Sequence, residues 1–254
     1  MKSRIISLLS TITPAIIKDL TRSLRMFLRF RVRLVANFFP KYFGLYDLDR
    51  KLEKYLDYEK GYFVELGANN GVSQSNTKYF ELFKKWIGVL IEAESNNFHL
   101  CKRYRARRTK VCNAACVSFS YPKDKVEMIF SNLMTIALDG ESDISNREGH
   151  AQDGVQFLDK GDKGEVLHKF FAPARTLNSI LQESDSPNRI DLLSLDVEGA
   201  ELEVLKGIDH QLFRFKYMLI EVRDLQGMEA FLKERGYFLV EQLSGHDCLF
   251  ADSR

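Results

Sequence analysis

The chain has 254 residues, 45% of them apolar and 28% charged. That is enough for one sizeable domain plus an appendage and too little for two catalytic domains, and it excludes a collagen-like, generally disordered or disulfide-scaffold protein. The net charge of +2 hides an asymmetry: residues 1–41 carry nine Lys/Arg against one acid, Asp19, while the rest carries 28 against 34 acids. A basic head on a mildly acidic body argues against a nucleic-acid-binding face on the body and gives the head a separate role.

The head reads as a helical arm, residues 1–45. Thr13-Pro14 supplies a capping hydroxyl and a proline at the first helical position, and Pro40 ends the segment. Lys18, Arg22, Arg25, Arg29 and Arg33 recur on one face, with Ile16, Leu20, Leu24, Phe27, Leu34, Val35 and Phe38 roughly opposite and Arg31 interrupting them. Residues 14–39 therefore suit either an anionic membrane surface or packing on protein, a second copy included. The apolar run Ile5–Ile17 is too short to span a bilayer, and no small-residue cleavage site follows it. Cys101, Cys112, Cys116 and Cys248 form no CxxC pair and have no histidine at zinc spacing. They read as reduced thiols of a cytoplasmic protein, which the arm could hold peripherally at the inner face of a membrane.

Residues 46–254 read as one α/β domain. Tyr62–Leu66 is a short buried strand that runs into Gly67-Ala68-Asn69-Asn70-Gly71, with a helix expected to start near Ser73 or Ser75. Glycines there let backbone approach a ligand at the carboxyl end of the first strand. The spacing Glu65-x-Gly67-x-x-x-Gly71 departs from the GxGxxG of dinucleotide binding and suits a ligand without a pyrophosphate. Trp86–Ile91 is a second strand delivering Glu92, a carboxylate placed to accept from both ribose hydroxyls of a nucleoside. A third strand, Thr109–Cys112, delivers Asn113, whose amide could meet an adenine edge.

Two further strands are expected at Val126–Phe130 and Val166–Phe171, with a polar loop of Gly, Asp and Ser across 139–163. That loop reads equally as a lid or as a solvated connection, and His150 and His168 receive no role. Ile190–Leu195 is the fourth strand, carrying Asp196 and Glu198 at its carboxyl end, with Gly199 turning the chain into a helix capped by Glu201. Phe215–Val222 is the fifth strand, bearing Glu221. A helix at Met228–Arg235 then leads to a hairpin of Tyr237–Leu243 and Cys248–Ala251, with His246 in its turn.

Five stretches together resemble the FkbM-type methyltransferases: Phe-Val-Glu-Leu-Gly-Ala-Asn-Asn-Gly (63–71), Gly-Val-Leu-Ile-Glu-Ala (88–93), Asn-Ala-Ala (113–115), Ala-Arg-Thr-Leu-Asn-Ser-Ile-Leu (174–181) and Ile-Asp-Leu-Leu-Ser-Leu-Asp-Val-Glu-Gly-Ala-Glu-Leu-Glu-Val-Leu-Lys-Gly (190–207). The resemblance covers about residues 60 to 250 and departs in carrying Glu65-Leu-Gly where many relatives have Asp-Val-Gly. It implies a class I methyltransferase, Rossmann-like fold: a mostly parallel seven-stranded sheet with a terminal antiparallel hairpin. It also implies S-adenosylmethionine as donor, held by Glu65, Gly67, Ala68, Asn69, Gly71, Glu92 and Asn113. The expected reaction is O-methylation of a sugar, glycan or secondary-metabolite hydroxyl.

A hydroxyl acceptor needs its proton removed, and Asp196, Glu198, Glu221 and His246 are the candidates. Mg²⁺ held by Asp196 with Glu221 or Asp224 is allowed by their chemistry but not required. A nicotinamide-dependent oxidoreductase and a non-catalytic, membrane-associated module with a relic donor pocket are the competing readings.

Overall fold

The computed structural model describes residues 41–158 and 164–254. The arm expected at 14–39, with its membrane or packing surface, lies outside the described residues, as do positions 159–163 of the polar segment. The strands are β1 (Tyr62–Leu66), β2 (Ile87–Glu92), β3 (Lys110–Asn113), β4 (Ala115–Cys116), β5 (Lys125–Phe130) and β6 (Ile136–Ala137). They continue with β7 (His168–Arg175), β8 (Arg189–Leu195), β9 (Arg214–Glu221), β10 (Tyr237–Gln242) and β11 (Asp247–Asp252). The helices are α1 (Leu48–Glu53), α2 (Lys78–Phe83), α3 (Ser95–Tyr104), α4 (Arg147–Asp153), α5 (Leu177–Glu183), α6 (Glu201–Leu205) and α7 (Leu225–Lys233). None of the described helices is long and apolar enough to cross a membrane.

Seven strands form one sheet in the order β10-β11-β9-β8-β1-β2-β3. The pairings from β9 through β8, β1 and β2 to β3 are parallel. Strand β11 lies antiparallel between β9 and β10. This is the mostly parallel class I methyltransferase arrangement with its terminal hairpin. In β8 the residues Ile190, Leu192, Leu193 and Leu195 are all buried, because helices cover both faces of such a sheet and its strands become continuous apolar runs. Register then fixes the functional edge. Leu66 pairs with Ile91 and with Leu195, and Leu195 with Ile220, so four strands end at one level. The loop after β1 and the side chains of Glu92, Asp196 and Glu221 consequently emerge together.

The segment between β3 and α5 forms a second sheet, β4-β7-β5-β6, with the two extra strands expected there pairing antiparallel as β5 and β7. The polar stretch expected as a loop is in part ordered differently. Residues Arg147–Asp153 are helical, with the Asn146 side chain capping the Gly149 amide, and a 3-10 turn follows at Gly154–Phe157. Burial of Ala151 against Ile129 and Ile136 gives that helix a tertiary partner, which a count of polar residues does not register. Several contacts dock this inserted segment on the main sheet, among them the following. Ser118 donates to Glu203 of α6 (2.8 Å), the Asp143 amide donates to the Gly199 carbonyl (3.0 Å), and Lys206 pairs with Glu141. Gly199 lies at φ +92°, and a Cβ on it would stand 2.7 Å from Asp143 Oδ1, so glycine is what admits the segment so close.

Candidate active site

At the carboxyl edge of the sheet lies a cavity of about 900 Å³, lined by the loop after β1, the ends of β2, β8 and β9, the β10–β11 turn and the inserted segment. Gly67 and Ala68 form its floor. Gly67 adopts φ +70°, and a Cβ there would stand 1.9 Å from the Asp196 carbonyl oxygen. The two strand ends can meet only because residue 67 has no side chain.

Glu92 is buried at the cavity wall, where its Oε2 accepts from the Asn69 amide (2.7 Å) and its Oε1 from the Glu94 amide (2.8 Å). Each oxygen thus keeps acceptor capacity toward the cavity. Removal from water, reinforced by Glu94 and opposed by those amides, pushes its carboxyl up to about 7. Asn69, in the left-handed region at φ 47°, also donates through its side chain to Asn132 of the inserted segment (3.0 Å).

Four sequence expectations need correction. Glu65 lines the cavity, but its carboxylate is engaged by Ser75, the Asn76 amide, Thr77 and Arg105, so it fixes the loop from behind. Those contacts also hold residues 75–77 out of the helix, which starts at Lys78 rather than near Ser73 or Ser75. Gly71 is absent from the cavity lining and instead packs on Cys101 and Arg105 at the end of α3. Asn113 is likewise turned away, because its amide donates to the carbonyls of Glu92 and Ala93 (2.9 Å each), bracing β3 against β2. The neighbouring Ala114 and Ala115 line the cavity in its place.

The four candidate bases Asp196, Glu198, Glu221 and His246 all border this cavity. Asp196 retains accessible surface where it borders the cavity, yet protein surrounds it. Burial together with Glu221, Glu198, Glu201 and Asp247 pushes its carboxyl well above the usual range. Glu198 sits at φ 55°, a left-handed conformation uncommon outside glycine; it is hydrogen-bonded to His150 Nε2 (2.8 Å) and accepts from Arg223 Nη2 (2.9 Å). Burial and Glu221 raise it to about 8 against the pull of Arg223. Glu221 is raised by burial and held by both terminal nitrogens of Arg223 (2.9 and 3.2 Å). Oxygens of Asp196, Glu198 and Glu221 come within 4.8 Å of one another. The cation standing against two of them is the Arg223 guanidinium. Asp224 does not join the group; its side chain caps α7 through the Gly227 amide. Glu201, expected to cap the helix, instead accepts from the Val197 and Gly199 amides of the turn before it, and Ala200 holds the N-cap position. His246 is exposed on the hairpin turn. Sequence reasoning left His150 and Arg223 unassigned, because no local pattern announces contacts 48 and 25 positions from Glu198.

A stability prediction follows from these carboxyls. A group with a raised folded-state pKa binds more protons folded than unfolded, so stability falls as pH rises from the unfolded value through the folded one. Glu92 and Glu201, both pushed to about 7, place that window between roughly pH 4.5 and 7, and Glu198 extends it to about 8. The thermal midpoint should therefore be higher at about pH 6 than at about pH 8.5, by several degrees. Scanning calorimetry giving equal or reversed midpoints would contradict this electrostatic account.

Comparison with known proteins gives a family match over residues 65–239, to the methyltransferase FkbM domain. A curated relative, methyltransferase sdnD of Sordaria araneosa, is 44% identical over 54 residues, covering 19% of this chain and 21% of that protein. The match therefore spans about a fifth of that relative's length. Among solved structures, a proposed RNA methyltransferase from Pyrococcus horikoshii aligns at TM-score 0.40 and 10% identity, covering 81% of this chain and 80% of that one. Human methyltransferase 10 domain containing protein aligns at TM-score 0.39 and 12% identity, with the same coverage.

Proposed function

Because the chain belongs to the FkbM methyltransferase family, we propose that it uses S-adenosylmethionine to O-methylate a sugar, glycan or secondary-metabolite hydroxyl. The observation that carries this reading is the position of Glu92. A buried carboxylate, fixed by two backbone amides beside the Gly67–Asn69 loop, shares one cavity with Asp196, Glu198 and Glu221.

The residues present fit such a donor. Gly67 lets the loop after β1 close against the Asp196 carbonyl at the cavity wall, and Glu92 retains acceptor capacity for two ribose hydroxyls. Ala114 and Ala115 offer a flat apolar wall to a purine. When bound, the donor supplies a methyl group made electrophilic by its sulfonium. The protein's own part is alignment: rigid strand ends hold both partners at one edge, and proximity of this kind can supply much of the barrier lowering. An acceptor hydroxyl is brought to the acidic end of the cavity, where polar side chains orient it and receive its proton.

Calorimetric titration with S-adenosylmethionine and S-adenosylhomocysteine tests the donor half of the proposal. Micromolar binding of both is the expected result, followed by methyl transfer to hydroxylated acceptors in a screen. A folded protein that binds neither, or that is instead stabilised by NAD, would remove the proposal.

A further inference from the structure

Helix α4 of the inserted segment brings His150 to the cavity wall, with its Nε2 2.8 Å from Glu198 Oε2 and its side chain largely shielded from solvent. The other candidate bases are differently placed. Glu221 is gripped by both terminal nitrogens of Arg223, Glu198 is shared between Arg223 and His150, and His246 is exposed on a turn. Asp196 sits among four other acids, an environment that disfavours its ionised form. An imidazole held by a carboxylate at one nitrogen and bordering the cavity matches the base-and-orienter geometry of acid–base sites.

We propose that His150 is the base that removes the acceptor's proton and that Glu198 is the residue that positions it. This assignment rests on the methyltransferase reading above. When the ionised Glu198 carboxylate accepts from Nε2–H, Nδ1 is the nitrogen left to receive a proton. As the acceptor oxygen bonds to the methyl carbon, the carbon–sulfur bond breaks and its electron pair stays on sulfur, which becomes a neutral thioether. The hydroxyl proton passes to His150 Nδ1, and the Glu198 carboxylate offsets the imidazolium charge until solvent takes the proton. Facing the ring are Glu198 and Arg223 from the sheet edge, Asp143 from the loop before α4, and Asp153 on α4 itself. Burial and Arg223 lower the imidazole below its ordinary value, which favours the neutral ring. The role also accounts for the docking of the inserted segment: Asp143 on Gly199 and His150 on Glu198 are anchored side by side to the same turn.

The test uses the full-length protein labelled with ¹⁵N-histidine. The His150→Gln variant assigns the His150 resonances, and S-adenosylhomocysteine titration of both proteins runs in parallel. At about pH 9, above the value of about 8 to which Glu198 is raised, the expected ring is neutral, with the Nε2–H tautomer in roughly tenfold excess. Glu198→Gln should abolish that excess, since an amide can donate to Nε2 as well as accept from it. S-adenosylhomocysteine should bind wild type and His150→Gln within about threefold of each other, since a base is not needed to hold the donor product. A proton on Nδ1, or an imidazolium, in a wild type that still binds S-adenosylhomocysteine overturns the base assignment alone. An unchanged tautomer in Glu198→Gln overturns the positioning role. Failure of wild type to bind S-adenosylhomocysteine overturns the methyltransferase reading and this assignment with it.

Discussion

Glu92→Gln should weaken S-adenosylhomocysteine binding by about a hundredfold, on the order of 3 kcal/mol, the loss of one or two hydrogen bonds to a charged acceptor. The two backbone amides on Glu92 make this substitution more damaging than its size suggests. Each carboxylate oxygen faces an N–H, so a glutamine must set its own NH₂ against one of them, from Asn69 or from Glu94. Either the loop after β1 or the turn after β2 then shifts, and the remaining amide oxygen carries no charge to meet the ribose hydroxyls. The fold should survive, because a carboxyl raised to about 7 costs stability when ionised and its neutral replacement removes that cost. Calorimetry at about pH 8, alongside a thermal midpoint within a few degrees of wild type, checks both halves. An affinity within threefold of wild type would mean that the donor does not contact this carboxylate.

The same carboxyl predicts a pH dependence. Hydroxyl donors favour the ionised form, so wild-type affinity should rise with pH by up to about tenfold per unit below about 7 and level off above it. Glu92→Gln should be flat over that range. A parallel slope in the variant would assign the titration to the Asp196–Glu198–Glu221 group instead.

What could be read from the sequence was whatever a strand period and its terminating residue specify. Apolar runs ending in Glu92, Asp196 and Glu221 mark the edge because parallel strands in register stop at one level. Side-chain direction is harder, since it depends on neighbours remote in sequence. Gly71 and Asn113 occupy the expected loop and strand end, yet one packs on α3 and the other braces β2. His150 lay in a segment whose composition suggests a loop, and its helix depends on burial of Ala151. Arg105 escaped notice altogether, at the end of an ordinary amphipathic helix and 40 positions from the carboxylate it meets.

Arg105 should nevertheless be among the costliest residues to replace. Its side chain is fully buried, with the guanidinium 3.2 Å from both Glu65 and Glu81, 2.8 Å from Thr77 Oγ1, 3.1 Å from the Gly71 carbonyl and over the Phe63 ring. Burial alone would raise Glu81; Arg105, Thr109 and Lys78 together bring it below its ordinary value. Arg105→Met keeps much of the volume but leaves two carboxylates in the interior without this cation, a change that typically costs about 3–5 kcal/mol. The lower end is expected, since Lys78 still pairs with Glu81 (2.9 Å) and hydroxyls of Ser75 and Thr77 still reach Glu65. In a domain of this size that is roughly a 6–12 °C fall in thermal midpoint. The loop is affected as well, because Glu65 and the Gly71 carbonyl are what Arg105 holds, so donor affinity should fall by about tenfold even where the protein remains folded. Adding Glu65→Gln to Arg105→Met removes one stranded charge and should recover about 1 kcal/mol or more of stability without restoring affinity. Recovery of both together would show that the loop keeps its shape without the ion pair, and a single variant losing under 1 kcal/mol would show that Ser75, Thr77 and Lys78 suffice to hold these carboxylates.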